Sequence, residues 1–442
     1  MKRLSIKIRC LLMGMVFICL FVGCQSSWPT SPAATPLPTE NISIDQTPTG
    51  QLITTATSIA AETSFTPSAE FTTLKAILHN PCLEVAPQVS PGLEFPGMVL
   101  AQKGLVLSRI NPSNGMRVDI PYYAEPSNEG SNRFNARFVV SPDGKWLAYQ
   151  DPAQNKVFIE TTQTLTTAAG QKPIMWSQGK KSILRQWVSN DTLLILYWKS
   201  EGDSFITSLL LNPFTGEKRE FSLEQFPGYL QTKDGGAVMA THYWVNGDLA
   251  LDPTLQRVVY PTQDEIYKYN VLWDAGKTKP LARLRFYMEL YNDPLWALDG
   301  SRFLIISYTP DNFVEWFQVS RGGEIRQVTH FDNFMKRGDY SLVIPSLSGD
   351  GRYLAFKLVY NDSNLAPKYL FLDLTLPGPH GFCIDAIPSG TEPAPVWSPD
   401  GKYVVISNTE ATIGSLILVD VEKQKAYQIE KDVDAVGWIE RP

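Results

Sequence analysis

The stretch VWSPDGKYVVI, Val396 to Ile406, decides the fold. A short apolar run leads into Ser398-Pro399-Asp400-Gly401, in which Pro pre-sets φ, Asp bonds its own backbone and Gly accepts positive φ. A second apolar run follows, so the stretch reads as a β-hairpin. The same frame returns as VVSPDGKWLAY (Val139 to Tyr149), LWALDGSRFLII (Leu295 to Ile306) and SLSGDGRYLAF (Ser346 to Phe356). Two degraded copies, WVSNDTLLILY from Trp187 and LDPTLQRVVY from Leu251, fit it as well.

The residue before each turn is Val140, Val188, Leu251, Trp296, Leu347 or Trp397, at intervals of 48, 63, 45, 51 and 50. Repeats near 50 residues with strand pairs inside them are the mark of propeller blades. Each copy is followed by a second hairpin, such as KVFIETTQTLTTA from Lys156 or SLILVDVEKQKAYQIE from Ser415. Two hairpins per repeat make a four-stranded antiparallel blade. Six blades are complete on this reading. A seventh is split: MVLAQKGLVLSRINPSNGMRVDI (Met98 to Ile120) supplies three strands, and AVGWIERP (Ala435 to Pro442) supplies the missing inner one. Joining them closes the ring and removes exposed sheet edges. The expected fold is therefore all-β, a seven-bladed propeller over residues 95–442 whose C-terminal strand completes the N-terminal blade, with six blades as the alternative count.

The WSPDG motif followed by a basic residue, an aromatic and an apolar run resembles the repeats of TolB-like propellers of the bacterial envelope. The resemblance spans most of residues 130–410 and implies a propeller in an extracytoplasmic setting. It implies no single activity, because a fold hosts many functions.

The beginning of the chain reads as an address. Lys2, Arg3, Lys7 and Arg9 precede an apolar run, Leu11 to Val22, too short to span a bilayer and suited to an export signal. It ends in Phe21-Val22-Gly23-Cys24, which resembles the bacterial lipobox, with Phe21 where Leu is usual. The resemblance implies cleavage after Gly23 and acylation of Cys24, a palmitate-type anchor that leaves the protein on the envelope membrane, facing the periplasm or the cell surface. Residues 1–23 carry four basic and no acidic residues, so the formal charge of -6 becomes -10 in the processed chain. Such a balance offers no field for nucleic acid. Residues 25–70 hold 23 Ser, Thr or Pro and no Lys or Arg, a composition expected of a disordered tether. As a flexible coil it would reach roughly 35–40 Å. The expected layout is signal (1–23), lipidated tether and arm (24–94), then a monomeric propeller head (95–442).

Of five cysteines, Cys10 and Cys19 leave with the signal and Cys24 takes lipid. Cys82 and Cys383 remain, either as a disulfide in an oxidising compartment or as two buried thiols. The sequence holds no nucleophile elbow, His-Glu-x-x-His, paired Cys-x-x-Cys or phosphate loop. No catalytic residue, metal site or cofactor is expected. The repeated Asp143, Asp299, Asp350 and Asp400 could form a ring of carboxylates, but their place before Gly makes them turn residues. Trp187, Trp296, Trp397 and Trp438 read as packing between blades.

In such a blade the tight turns all fall on one face, so the longer links between strands two and three and between blades share the opposite one. Long irregular loops on a rigid scaffold are where binding resides. Tyr122, Tyr123, Tyr229, Tyr243, Tyr287, Tyr291, Phe334 and Tyr340 lie in these links and could rim a site for an envelope protein, a peptide or a glycan. The expected function is non-catalytic binding through this face. The alternative is a propeller-fold polysaccharide lyase or glycoside hydrolase.

Overall fold

The computed structural model describes residues 72–441 apart from 91, 105, 121–137, 152–155, 164–172, 178–181, 199–205, 222–249, 255, 264–267, 275–278, 286–293, 363, 377, 388–392 and 411–412. The export segment, Cys24 and the tether lie outside the described residues.

Seven antiparallel sheets of four core strands each form the ring, a seven-bladed propeller. Blade 1 takes Met98–Lys103, Val106–Asn111 and Met116–Ile120 from early in the chain and its inner strand, Asp434–Ile439, from the far end. Blades 2 to 7 then follow in order, with inner strands Phe138–Val140, Ser182–Trp187, Ala250–Leu251, Leu295–Trp296, Tyr340–Leu347 and Val396–Trp397. The closing strand pairs Met98 with Ile439, Val99 with Trp438 and Leu100 with Gly437. Gly437 is there because the blades meet tightly: a Cβ on it would overlap the Val140 side chain of blade 2.

The middle strands are buried on both faces and are near-continuous apolar runs rather than alternating ones, whereas outer strands such as Met116–Ile120 are largely exposed. Blade 6 shows the pattern in Tyr353–Tyr360, which opens with six consecutive buried positions. Phe356 and Leu358 pack toward Trp316 and Leu304 of blade 5. Tyr353 and Ala355 pack toward Val404 and Val419 of blade 7. Equivalent shared cores lie between blades 7 and 1, around Val405 and Ile110, and between blades 1 and 2, around Leu107 and Phe158. Each fully buried side chain of this size contributes about 1.5–3 kcal/mol. The ring is thus held by seams between sheets more than by any one sheet.

The repeated turn is closed by its own side chains. Ser398 Oγ donates to Asp400 Oδ1 (2.6 Å) and accepts from the Tyr403 amide (3.0 Å), while the Lys402 amide donates to the same Asp oxygen (3.2 Å). Blade 2 repeats this with Ser141 and Asp143, and blade 6 with Ser348 and Asp350. The glycine that follows has positive φ in every copy: 76° at Gly144, 65° at Gly300, 72° at Gly351 and 70° at Gly401. An L side chain resists that conformation. The carboxylates are occupied with their own turns.

The repeating aromatics pack between blades. Tyr353 of blade 6 stacks on Trp397 of blade 7 (6.1 Å, 13°), and Trp187 of blade 3 donates its ring N–H to Val139 O of blade 2 (3.1 Å). Trp296 instead meets Phe303 of its own blade at 4.7 Å.

An arm ahead of blade 1 runs along the outer edges of blades 6 and 7. Thr72–Thr73 pairs antiparallel with His380 and Gly381, on the last strand of blade 6. A six-residue helix, Leu74–His79, follows and buries Leu74 and Ile77 in the seam between blades 5 and 6. Cys82 is disulfide-bonded to Cys383 on that same outer strand. Val85–Ala86 then adds a parallel strand to blade 7, and Phe95 sets its ring against Tyr403 at 5.0 Å before blade 1 begins.

Candidate functional site

Among the described residues, the two faces of the ring differ in how their charged side chains are paired. On the tight-turn face, neighbouring blades are laced together. Arg321 of blade 5 reaches Thr254 Oγ1 (2.9 Å) and Gln256 Oε1 (2.6 Å) of blade 4, and Arg302 donates to Gly351 O of blade 6 (2.9 Å). Arg352 of blade 6 pairs with Asp373 at 3.0 Å and lies 3.9 Å from Glu422 of blade 7. Lys145 of blade 2 stands 3.9 Å from Glu440, just past the closing strand. These contacts tie neighbouring blades to one another on this face.

On the opposite face, the best-formed irregular element among the described residues is the link from blade 5 to blade 6, residues 328–339. It starts where Val328 N donates to Trp316 O (2.7 Å) and makes one 3-10 turn, Phe331–Asn333. Phe331 is fully buried and meets Phe334 at 5.9 Å and Tyr340 at 5.1 Å. At the tip, Lys336, Arg337, Gly338 and Asp339 are all exposed. No ion pair involves Lys336 or Arg337 among the described residues. Blade 6 braces the tip from the other side: the Asn361 amide donates to Asp339 O (2.9 Å) and its side chain donates to Gly338 O. Leu365, in the loop that follows Asn361, is 52% exposed.

The link sits on a buried acid. Glu315, second residue of the strand Val314–Ser320, is fully buried. Its Oε2 accepts from Thr329 Oγ1 (2.5 Å) and its Oε1 from the Asp332 amide (2.9 Å). Burial pushes the Glu315 carboxyl up to about 7, with the nearby Asp332 charge adding to the rise and the hydrogen bonds opposing it. The Tyr340 hydroxyl, also buried, is raised well above its ordinary value by burial, then by Glu315 and Asp332.

Of the eight aromatics expected to rim this face, Phe334 is half-buried on the link. Tyr340 is a correction: it is 4% exposed, its hydroxyl donates to Val314 O (2.9 Å), and it anchors the link instead of offering surface. The reason is that blade 6's inner strand starts at Tyr340, well ahead of Ser346 where the repeat motif begins, and crosses a bulge between Val343 and Ser346 with Ile344 at φ 55°. Tyr122, Tyr123, Tyr229, Tyr243, Tyr287 and Tyr291 lie outside the described residues. Glu315 itself gave no sequence signal beyond a lone acid in the apolar frame VEWFQV. Among the described residues, no group of three or more His, Cys, Asp or Glu is arranged to hold a metal. No described helix is long and apolar enough to cross a membrane.

No protein-family model matches the chain, and no curated protein matches it. Solved structures do. The β-propeller domain of the trilobed protease from Pyrococcus furiosus is 15% identical, with 79% of this chain and 98% of that one covered at a TM-score of 0.45. A protein from Lactobacillus plantarum is 13% identical over 78% and 99% of the two chains, TM-score 0.43. TolB from Acinetobacter baumannii is 12% identical over 77% and 81%, TM-score 0.38. Likeness at this level carries no argument about function.

Proposed function

We propose that the protein is an envelope lipoprotein, anchored through Cys24 and facing outside the cytoplasm, that binds a protein or polysaccharide partner on its long-link face without catalysis. The observation that carries the reading is the contrast between the faces. The tight-turn face spends its charges on its own neighbours. The 328–339 link instead presents Lys336 and Arg337 on a braced, shaped element, and exposed Leu365 lies in the loop of blade 6 that braces it. A rigid ring carrying irregular links is a scaffold suited to recognition. The anchor reading rests on the sequence alone: a basic n-region, a short apolar run and Gly23-Cys24.

The test has two parts. Growth with a clickable palmitate analogue should label the wild-type protein and leave Cys24→Ser unlabelled; equal labelling of both would remove the anchor. Co-precipitation after cross-linking in cells should recover a partner that the Lys336→Ala, Arg337→Ala double variant loses. Retention of every partner by that folded variant would move the binding surface elsewhere.

A further inference from the structure

We infer that Glu315 is a protonation-controlled seat for the 328–339 link, holding the link against the ring when its carboxyl is neutral and releasing it when ionised. The inference deepens the reading of this face as a binding surface, because the link carries Lys336 and Arg337; the seat itself can be tested without any partner.

The geometry places one carboxyl at the junction of three elements. Glu315 belongs to blade 5's third strand, Thr329 lies just beyond the fourth, and Asp332 is in the link's 3-10 turn. Thr329 Oγ1 also accepts from the Trp316 amide at 2.9 Å, so the bond network runs from the strand into the link. Both hydrogen bonds to Glu315 survive a change of protonation. Oε1 accepts from the Asp332 amide in either state, and the Thr329 hydroxyl can donate to a carboxylate or accept from an acid. What changes is the cost of a buried charge.

The surroundings do little to offset that charge. The titratable and charged groups on the elements packed around it are His330 and Asp332 on the link, with Lys336, Arg337 and Asp339 exposed at its tip, Tyr308 and Asp311 ahead of the strand, Tyr340 and Tyr360 of blade 6, and Arg285 at the end of blade 4's outer strand. Asp332 is itself acidic, and its Oδ1 is buried with no hydrogen bond, 4.0 Å from His330 Nδ1. Tyr340 spends its proton on Val314 O. Arg285 directs Nη1 to Thr309 O at 3.4 Å and stands over the Tyr308 ring at 5.6 Å. The Asp332 carboxylate is a like charge beside Glu315 and adds to the cost of ionising it.

The raised carboxyl sets the sign. A link that has lifted exposes Glu315 to water, where it titrates near its ordinary value of 4.5, against about 7 when seated. The seated state therefore binds the proton more tightly. Seating is strongest below pH 4.5, weakens as pH rises through 4.5 to 7, and levels off above that. The open fraction grows by up to about a hundredfold over the window.

Carbon-13 carboxyl titration of the full chain by NMR, with hydrogen exchange of the link amides corrected for intrinsic rates, reads this directly. The expected wild-type result is a Glu315 midpoint near 7, with protection at Phe334 and Met335, whose amides bond to Phe331 O, falling by up to about a hundredfold between pH 4.5 and about 8. Glu315→Gln keeps an acceptor for the Asp332 amide and should make protection independent of pH. Asp332→Asn, which leaves Glu315 in place, should lower both midpoints together. A wild-type midpoint near 4.5, pH-independent protection in the wild type, or the same fall in Glu315→Gln would overturn the seat. If Glu315→Gln fails to fold, the wild-type titration and Asp332→Asn decide alone. None of these outcomes bears on partner capture by Lys336 and Arg337, so the two readings fail separately.

Discussion

Trp438, on the strand that closes the ring, lies face to face with Tyr403 of blade 7, ring centroids 6.3 Å apart and planes 16° from parallel. One blade earlier, Trp397 and Tyr353 make the same pair. The closing strand is therefore docked as an ordinary inner strand would be, by a seam that the repeat supplies at successive blades. Trp438 is 3% exposed, and its removal should leave a cavity in the seam between blades 7 and 1. Trp438→Ala is expected to cost about 3–5 kcal/mol, read as a lower urea midpoint. A loss below about 1 kcal/mol would mean that the seam does not hold the closing strand.

Gly437 next to it offers a sharper test, since an added methyl meets Val140 across the seam. Gly437→Ala should destabilise by about 1–3 kcal/mol through overpacking. Val140→Ala in the same chain should recover part of that loss, giving a favourable coupling in a double-mutant cycle. Strict additivity would show that the two side chains do not compete for the space.

The turn carboxylates should behave as structural parts. Asp143→Ala and Asp400→Ala each remove one serine hydroxyl bond and one amide bond, at about 1 kcal/mol apiece. These two, on blades 2 and 7, should add. Asp350 and Asp400 should not, because the Asp350 carboxylate lies against Gly401, where a Cβ would stand 3.3 Å from it. Equilibrium denaturation of the single and double variants measures both, and additivity of the second pair would count against contact between the turns.

The bridge from Cys82 to Cys383 closes a loop with a sequence separation of 301. Replacing both cysteines with Ser should cost about 2–4 kcal/mol. The arm should respond first, with limited proteolysis cutting between Leu74 and Val85 before any blade is nicked. Unchanged protease resistance would show that the helix and the two added strands hold the arm without the bond.

What could be read from the sequence was whatever repeats. Ser-Pro-Asp-Gly turns recur often enough to set the blade period, and the split of blade 1 followed from fragments at Met98 and Ala435 that complement each other. The arm's strands could not be read because Thr72–Thr73 and Val85–Ala86 are two residues each, too short to carry a period, and their partners lie at His380–Gly381 and Ala426–Tyr427, far along the chain. Tyr340 was misplaced because its strand outruns the repeat. Glu315 was invisible for a related reason: its partners Thr329 and Asp332 come from a link without any repeat, so its role exists only once the link has folded over it.

The split first blade also orders events in time. Strands Met98–Lys103 to Met116–Ile120 are made early but lack their inner neighbour until Asp434–Ile439 has been synthesised. Pairing Met98 with Ile439 spans nearly the whole ring, and contacts that distant close slowly. A chain that has not yet reached Asp434 thus holds an incomplete first sheet with an open inner edge, and the ring closes only once Asp434–Ile439 is present.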